Sequence, residues 1–133
     1  MTLHKEDLIK IAIEKSNQAI KSAKDNFENN NLETAQNRIY YALFYIVTAL
    51  AYKNDFITSK HSQLKGWFNK KFIYEDRVFE PEMIEIYNEL YQFRQKSDYD
   101  LGYTPDLETV KESLADVIAV SYTHLRAHET CAD

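Results

Sequence analysis

Glycine and proline are nearly missing from this chain, with two of each in 133 residues, against about 7% and 5% in average proteins. That scarcity excludes the turn-dense sandwiches, barrels and propellers. A single cysteine, Cys131, excludes an intrachain disulfide framework. No apolar run approaches the roughly 18 residues of a membrane span, and no signal peptide is seen, so a soluble cytoplasmic protein is expected. Positive charge is also in short supply: 16 Lys and Arg stand against 21 Asp and Glu, for a net charge of −5. A general polyanion-coating surface is thereby excluded, and any nucleic-acid contact must be a local basic patch. There is no Gly-rich phosphate loop and no serine nucleophile motif. The Glu-x-x-His pairs that di-iron bundles need are absent too. No cofactor is implied.

What remains is a chain of one-domain length whose apolar residues recur at helical spacing. A first helix is expected from about His4 to Asn29, with Leu8, Ala12, Ala19, Ala23 and Phe27 in register and Ile9, Ile13 and Ile20 widening the stripe. Asn29-Asn30-Asn31 ends it, and Asn31 is placed to cap the next helix. That second helix, Leu32 to Lys53, is apolar nearly all round, which marks a central helix or one shared with a partner. A shorter third helix is expected from near Ser59, carrying His61, Leu64, Trp67 and Phe68 with Phe72 at its end, followed by an irregular connection from Ile73 to Glu80. Pro81 opens a fourth helix with Met83, Ile86, Tyr87, Leu90 and Phe93 inward. Thr104 as cap and Pro105 as first residue open a last helix marked by Leu107, Val110, Leu114 and Val117. The fold expected is all-α, an antiparallel four- to five-helix bundle.

The end of the chain reads differently. Residues 120 to 133, VSYTHLRAHETCAD, resemble the translation of a sequencing-adapter read fused to an open reading frame, so the domain is taken as residues 1–119 and the tail as foreign. His124, His128, Glu129 and Cys131 have metal-ligand spacing, but on that reading they form no metal site.

Two constellations stand out. On the central helix, Arg38 and Tyr41 are i, i+3 neighbours, so a cation and a phenol project together from an apolar helix, with His61 near the start of the third. The plain alternative is that Arg38 pairs with a carboxylate while Tyr41 and Tyr45 are core aromatics. At the end of the fourth helix lies RQKSDYD, where Arg94 and Asp98 have the i, i+4 spacing of an ion pair and Tyr99 and Asp100 extend the polar cluster. A guanidinium beside a phenol and carboxylates suits a phosphate or a ribose, because its fork matches phosphate oxygens.

The strings NRIYYALFYIVTALAY, KHSQL and LYQFRQKSDYDLGY, in this order and spacing, resemble HEPN-domain proteins over roughly residues 5 to 119. The resemblance implies a helical bundle that dimerises, often encoded beside a minimal nucleotidyltransferase as a toxin and antitoxin pair. It also implies, for many members, a metal-independent endoribonuclease. In active members an Arg is followed roughly four to six residues later by a His, and two such motifs meet across the dimer. Arg94 matches the Arg, but the positions for His hold Tyr99 and Asp100, with Asp98 just before. Tyr near 10 and Asp near 3.9 are poorly poised for proton transfer at neutral pH, where His near 6.5 is suited.

The function expected from these residues is a toxin-antitoxin type protein binding RNA or nucleotide in a dimer groove. Arg94, Asp98 and Tyr99 are the residues for any catalysis, and Arg38, Tyr41, His61 and Asp100 those for binding. The alternative is a non-catalytic accessory subunit that binds a nucleotidyltransferase and accepts its modification on a tyrosine. His61 itself is expected to cap and pack the third helix, the common duty of a lone His at a helix start.

Overall fold

The computed structural model describes the backbone of residues 4–131, with the side chains of residues 4–97 and 99–122. Helices α1 (Lys5–Glu28), α2 (Leu32–Lys53), α3 (His61–Phe68), α4 (Glu82–Tyr99) and α5 (Leu107–Cys131) are joined by short connections, and a π-helical segment, Asn69–Glu75, continues α3. All five are helical as expected, in an all-α bundle. The metal-ligand spacing at His124, His128, Glu129 and Cys131 lies outside the described side chains. Among the described residues, no helix is long and apolar enough to cross a membrane.

The pattern of small residues explains the first packing step. Ala12, Ser16, Ala19 and Ala23 of α1 are buried, as are Ala35, Ala42 and Ala49 of α2. Side chains this short let the two backbones approach closely. Ser16, absent from the apolar stripe read in the sequence, is buried because its hydroxyl donates to the Ala42 carbonyl at 2.8 Å, which offsets its desolvation. The hairpin between them turns at Asn30, whose φ of 61° is left-handed, a conformation asparagine tolerates. Asn31 occupies the cap position of α2 without a side-chain cap bond. Its amide instead donates to Asn26 Oδ1 at 3.4 Å.

Helix α2 contacts α1, α3, α4 and α5, so its all-round apolar character reflects a central position. Ile39, Tyr40, Leu43, Ile46, Val47 and Leu50 are buried. A stripe of Arg38, Tyr41, Phe44, Tyr45, Thr48 and Tyr52 is only half-buried and stays at the surface.

Three expectations change. The irregular connection after α3 is shorter than expected, because π-helical turns carry the helix to Glu75 and bring Phe72 and Ile73 inward with Phe68, leaving only residues 76–80 irregular. A wider i→i+5 turn shifts the facing residues by one position, and here it keeps the apolar side chains on the core. Helix α5 is capped by Asp106 rather than Thr104: Asp106 Oδ2 accepts from the Thr109 amide at 3.1 Å and from its hydroxyl at 3.0 Å. Its inward stripe is Val110, Ser113, Val117 and Val120, with Leu114 half-buried against the core as expected, whereas Leu107, the first helical residue, is exposed.

Tyr87 is fully buried on α4, yet its hydroxyl finds no hydrogen-bonding partner among the described residues. Burial pushes its pKa well up, so the phenol remains protonated and its desolvation is uncompensated. Tyr87→Phe is therefore expected to raise stability by about 1 kcal/mol. Denaturant titration checks this, and a loss of stability would show that the hydroxyl is satisfied.

Candidate functional site

Three elements converge on His61. It is the first residue of α3, where Lys60 is the N-cap and no side chain caps the helix. The imidazole does not cap as expected. It leans onto α2 instead, stacked on Phe44 with ring centroids 4.3 Å apart and planes at 16°. Its Nδ1 lies 2.6 Å from the Tyr40 hydroxyl and, in a longer contact, 3.4 Å from Arg94 Nη1 of α4.

The protonation of this trio follows from its surroundings. Tyr40 is 1% exposed, and burial drives its pKa up, partly opposed by the Arg94 cation. It therefore keeps its proton and donates to Nδ1. Arg94 also faces Nδ1 with an N–H, so Nδ1 is the acceptor and Nε2 carries the ring proton. Desolvation, and then the Arg94 charge, hold the His61 pKa below its ordinary 6.5. The titratable and charged groups facing His61 are Tyr40 and Tyr41 from α2 and Arg94 from α4, and Arg94 is the charge that acts on its pKa.

That shift carries a pH prediction. Between the lowered folded value and 6.5, the unfolded chain binds a proton at this position that the folded chain does not. The His61 contribution to stability is thus complete above pH 6.5 and is lost as pH falls through the folded value. Thermal melts between pH 7.5 and 5 should show a fall in Tm that is shallower in His61→Asn. An identical slope in the variant would refute the assignment.

Around the trio, cations lie over aromatic rings. The Arg94 guanidinium carbon is 5.4 Å from the Tyr40 ring centre and 5.7 Å from that of Tyr41. Arg38 covers Tyr41 at 5.2 Å and donates twice to Asn37 Oδ1, at 2.7 and 3.2 Å. Lys65 lies 5.1 Å from the centre of Tyr91 and bonds Asn88 Oδ1. The expectation that Arg38 pairs with a carboxylate is not met. Among the described residues, the ion pairs are Lys5 with Asp55 and Lys71 with Asp76, so none of these site cations has a carboxylate partner.

Of the residues singled out in the sequence, Arg94, His61, Arg38 and Tyr41 are brought together. Tyr99 and Asp100 are not. Tyr99, at the end of α4, is 87% exposed and has no contact with Arg94. Asp100 Oδ1 accepts from the Gly102 amide at 3.0 Å and shapes the turn to α5. The side chain of Asp98, and with it the Arg94–Asp98 pair, lies outside the described residues. Tyr40 and Phe44 were not among the expected site residues; their spacing of four places them on one helical face with Tyr41 beside them, a signal that reads equally as core.

The model of the HEPN domain matches residues 9–125. The chain belongs to the HEPN family. A UPF0332 protein of Thermotoga maritima is 34% identical over 108 residues, 81% of this chain and 81% of that protein. A protein of Methanocaldococcus jannaschii named "Putative toxin MJ0142" is 34% identical over 97 residues, 73% of this chain and 65% of that protein. The chain thus spans just under two thirds of that second relative. Against the pattern that the family resemblance implies for active members, this HEPN protein lacks a His shortly after Arg94, yet it presents His61 to the same guanidinium from 33 residues away.

Proposed function

We propose that this HEPN protein is a toxin-type factor that binds RNA at the Arg94–His61 centre and cleaves it without a metal ion. The observation that carries the reading is the 3.4 Å approach of Arg94 Nη1 to His61 Nδ1, with no carboxylate to neutralise the cation among the described residues. A relative bearing a toxin name supports it. The guanidinium fork is suited to two non-bridging phosphate oxygens. His61 Nε2–H donates to the same phosphate. The phosphate charge offsets Arg94, the second of the two causes that lower the His61 pKa after burial, and so favours a second proton at Nδ1, the Tyr40 hydroxyl turning to accept it. The ribose 2′-hydroxyl then attacks phosphorus, its proton passing to water. The P–O5′ bond breaks, and the imidazolium protonates the departing 5′ oxygen, leaving a 2′,3′-cyclic phosphate. The reading includes a homodimer whose two copies border one groove, and action in the cytoplasm.

Single-stranded RNA incubated with the purified chain in EDTA tests this. Fragments ending in cyclic phosphate are expected, with cleavage lost and RNA retention kept in His61→Gln. RNA that is neither retained nor cut by the parent chain would sink the reading.

A second reading rests on Tyr99, which stands 87% exposed at the helix end and is free to be modified by a nucleotidyltransferase partner. Incubation with such an enzyme and nucleoside triphosphates should add one nucleotidyl mass that Tyr99→Phe abolishes. An unchanged mass for the parent chain would remove this reading.

A further inference from the structure

The half-buried stripe of α2 does not stop at Tyr41. Tyr45, one turn on, has its ring 6.2 Å from that of Tyr41, and Lys15 of α1 places its Nζ 5.6 Å from the Tyr45 ring centre. Between α1 and α2 a cleft of about 320 Å³ opens, lined by Lys15, Gln18, Ser22, Arg38 and Tyr45. Two cations, an amide and a hydroxyl are the donors a phosphate group needs. Neither Lys15 nor Arg38 has a carboxylate partner among the described residues. The nearby acids of α1, Glu14 and Asp25, are exposed and do not line the cleft.

We propose that the α1–α2 cleft holding Lys15 and Arg38 is a second phosphate subsite, continuous with the Arg94 centre, so that the ligand is a single-stranded polynucleotide several residues long rather than a mononucleotide. The proposal rests on the RNA reading of the Arg94 centre. Along the face, Arg94, Tyr41, Tyr45 and Lys15 follow one another at 5.7, 6.2 and 5.6 Å, with Arg38 over Tyr41 at 5.2 Å. Alternating rings and cations are the chemistry that binds single strands, the rings stacking with bases and the cations contacting the backbone. A second copy of this chain suits the cleft less well. In an isologous contact it offers the same patch back, setting cations against cations. The single strand brings the compensating charge.

Binding of fluorescent 2′-O-methyl RNA, which lacks the attacking hydroxyl, separates the possibilities when followed by anisotropy at several salt concentrations. The probes are a single nucleoside monophosphate, used as competitor, and a strand of about ten nucleotides. The strand should bind the parent chain more tightly than the monophosphate. Lys15→Gln should weaken strand binding about tenfold and lower the salt slope by about 0.7, the loss of one phosphate contact on a single strand. Lys15→Arg should restore both, and Arg94→Ala should weaken both probes. Unchanged strand affinity and slope in Lys15→Gln, with Arg94→Ala still impaired, would overturn the subsite while leaving the Arg94 centre standing. Unchanged RNA affinity together with altered sedimentation of Lys15→Gln would overturn it in favour of a protein interface. Failure of the parent chain to bind either probe would end both proposals.

Discussion

Arg94→Ala is expected to lower RNA cleavage by about 10²- to 10³-fold, the usual cost of removing a group that stabilises developing charge. Three consequences of one guanidinium meet in this residue. In the proposed function it supplies the fork for phosphate, it lies over Tyr40 and Tyr41, and it helps hold down the His61 pKa. Affinity for RNA should also fall, by about 1.5 to 3 kcal/mol, the range for a hydrogen bond to a charged group. The variant should bring the His61 pKa closer to its ordinary value, because one of the two causes of its depression is gone. Cleavage assays in EDTA and an NMR titration of the imidazole read these effects separately. Were Arg94 only half of an exposed ion pair, stability would change by less than about 0.5 kcal/mol with binding untouched. That result, with cleavage at the parent rate, would remove Arg94 from the site.

Phe68→Ala should be among the most damaging changes to the fold, costing about 3 to 5 kcal/mol. Phe68 is 0% exposed, and its ring lies 5.9 Å from Phe72, 5.3 Å from Phe79 and 5.6 Å from Tyr87. It ties the end of α3 to the π-helical segment and to α4. Total stabilities of about 5 to 15 kcal/mol leave little margin after such a loss. Because the other end of α3 presents His61, cleavage should fall with it. Tyr74→Ala, at a ring 68% exposed on the same π-helical segment, should stay within about 0.5 kcal/mol. A denaturant midpoint for Phe68→Ala equal to that of Tyr74→Ala would contradict this account of the core.

The long helices were legible because their limits are written in local chemistry. Helix α2 begins after an asparagine run and ends before Asn54, and it occupies Leu32–Lys53 as the apolar pattern indicates. The π-helical turns were not legible, since a widened turn at Asn69–Glu75 is chosen by how Phe72 and Ile73 fit the core and not by composition. At the start of α5, Thr104 and Asp106 are both good caps, and only the bond to Thr109 decides between them. For the site, Arg94 was visible by its motif. His61 was legible as a candidate binding residue, but its contact with Arg94 was not decided against plain packing at the start of α3, because nothing in a helix-start histidine announces a neighbour 33 residues away. The positions shortly after Arg94 hold Tyr99 and Asp100, both exposed where the chain runs out toward solvent.

Tyr40 belongs to two places at once: its ring is sealed within the core, while its hydroxyl holds His61. The centre therefore has no loose joint through which it could melt ahead of the bundle. Heat inactivation and global unfolding should share one midpoint, and substitutions that loosen the packing of α2 should be felt as errors in proton placement well before the protein comes apart.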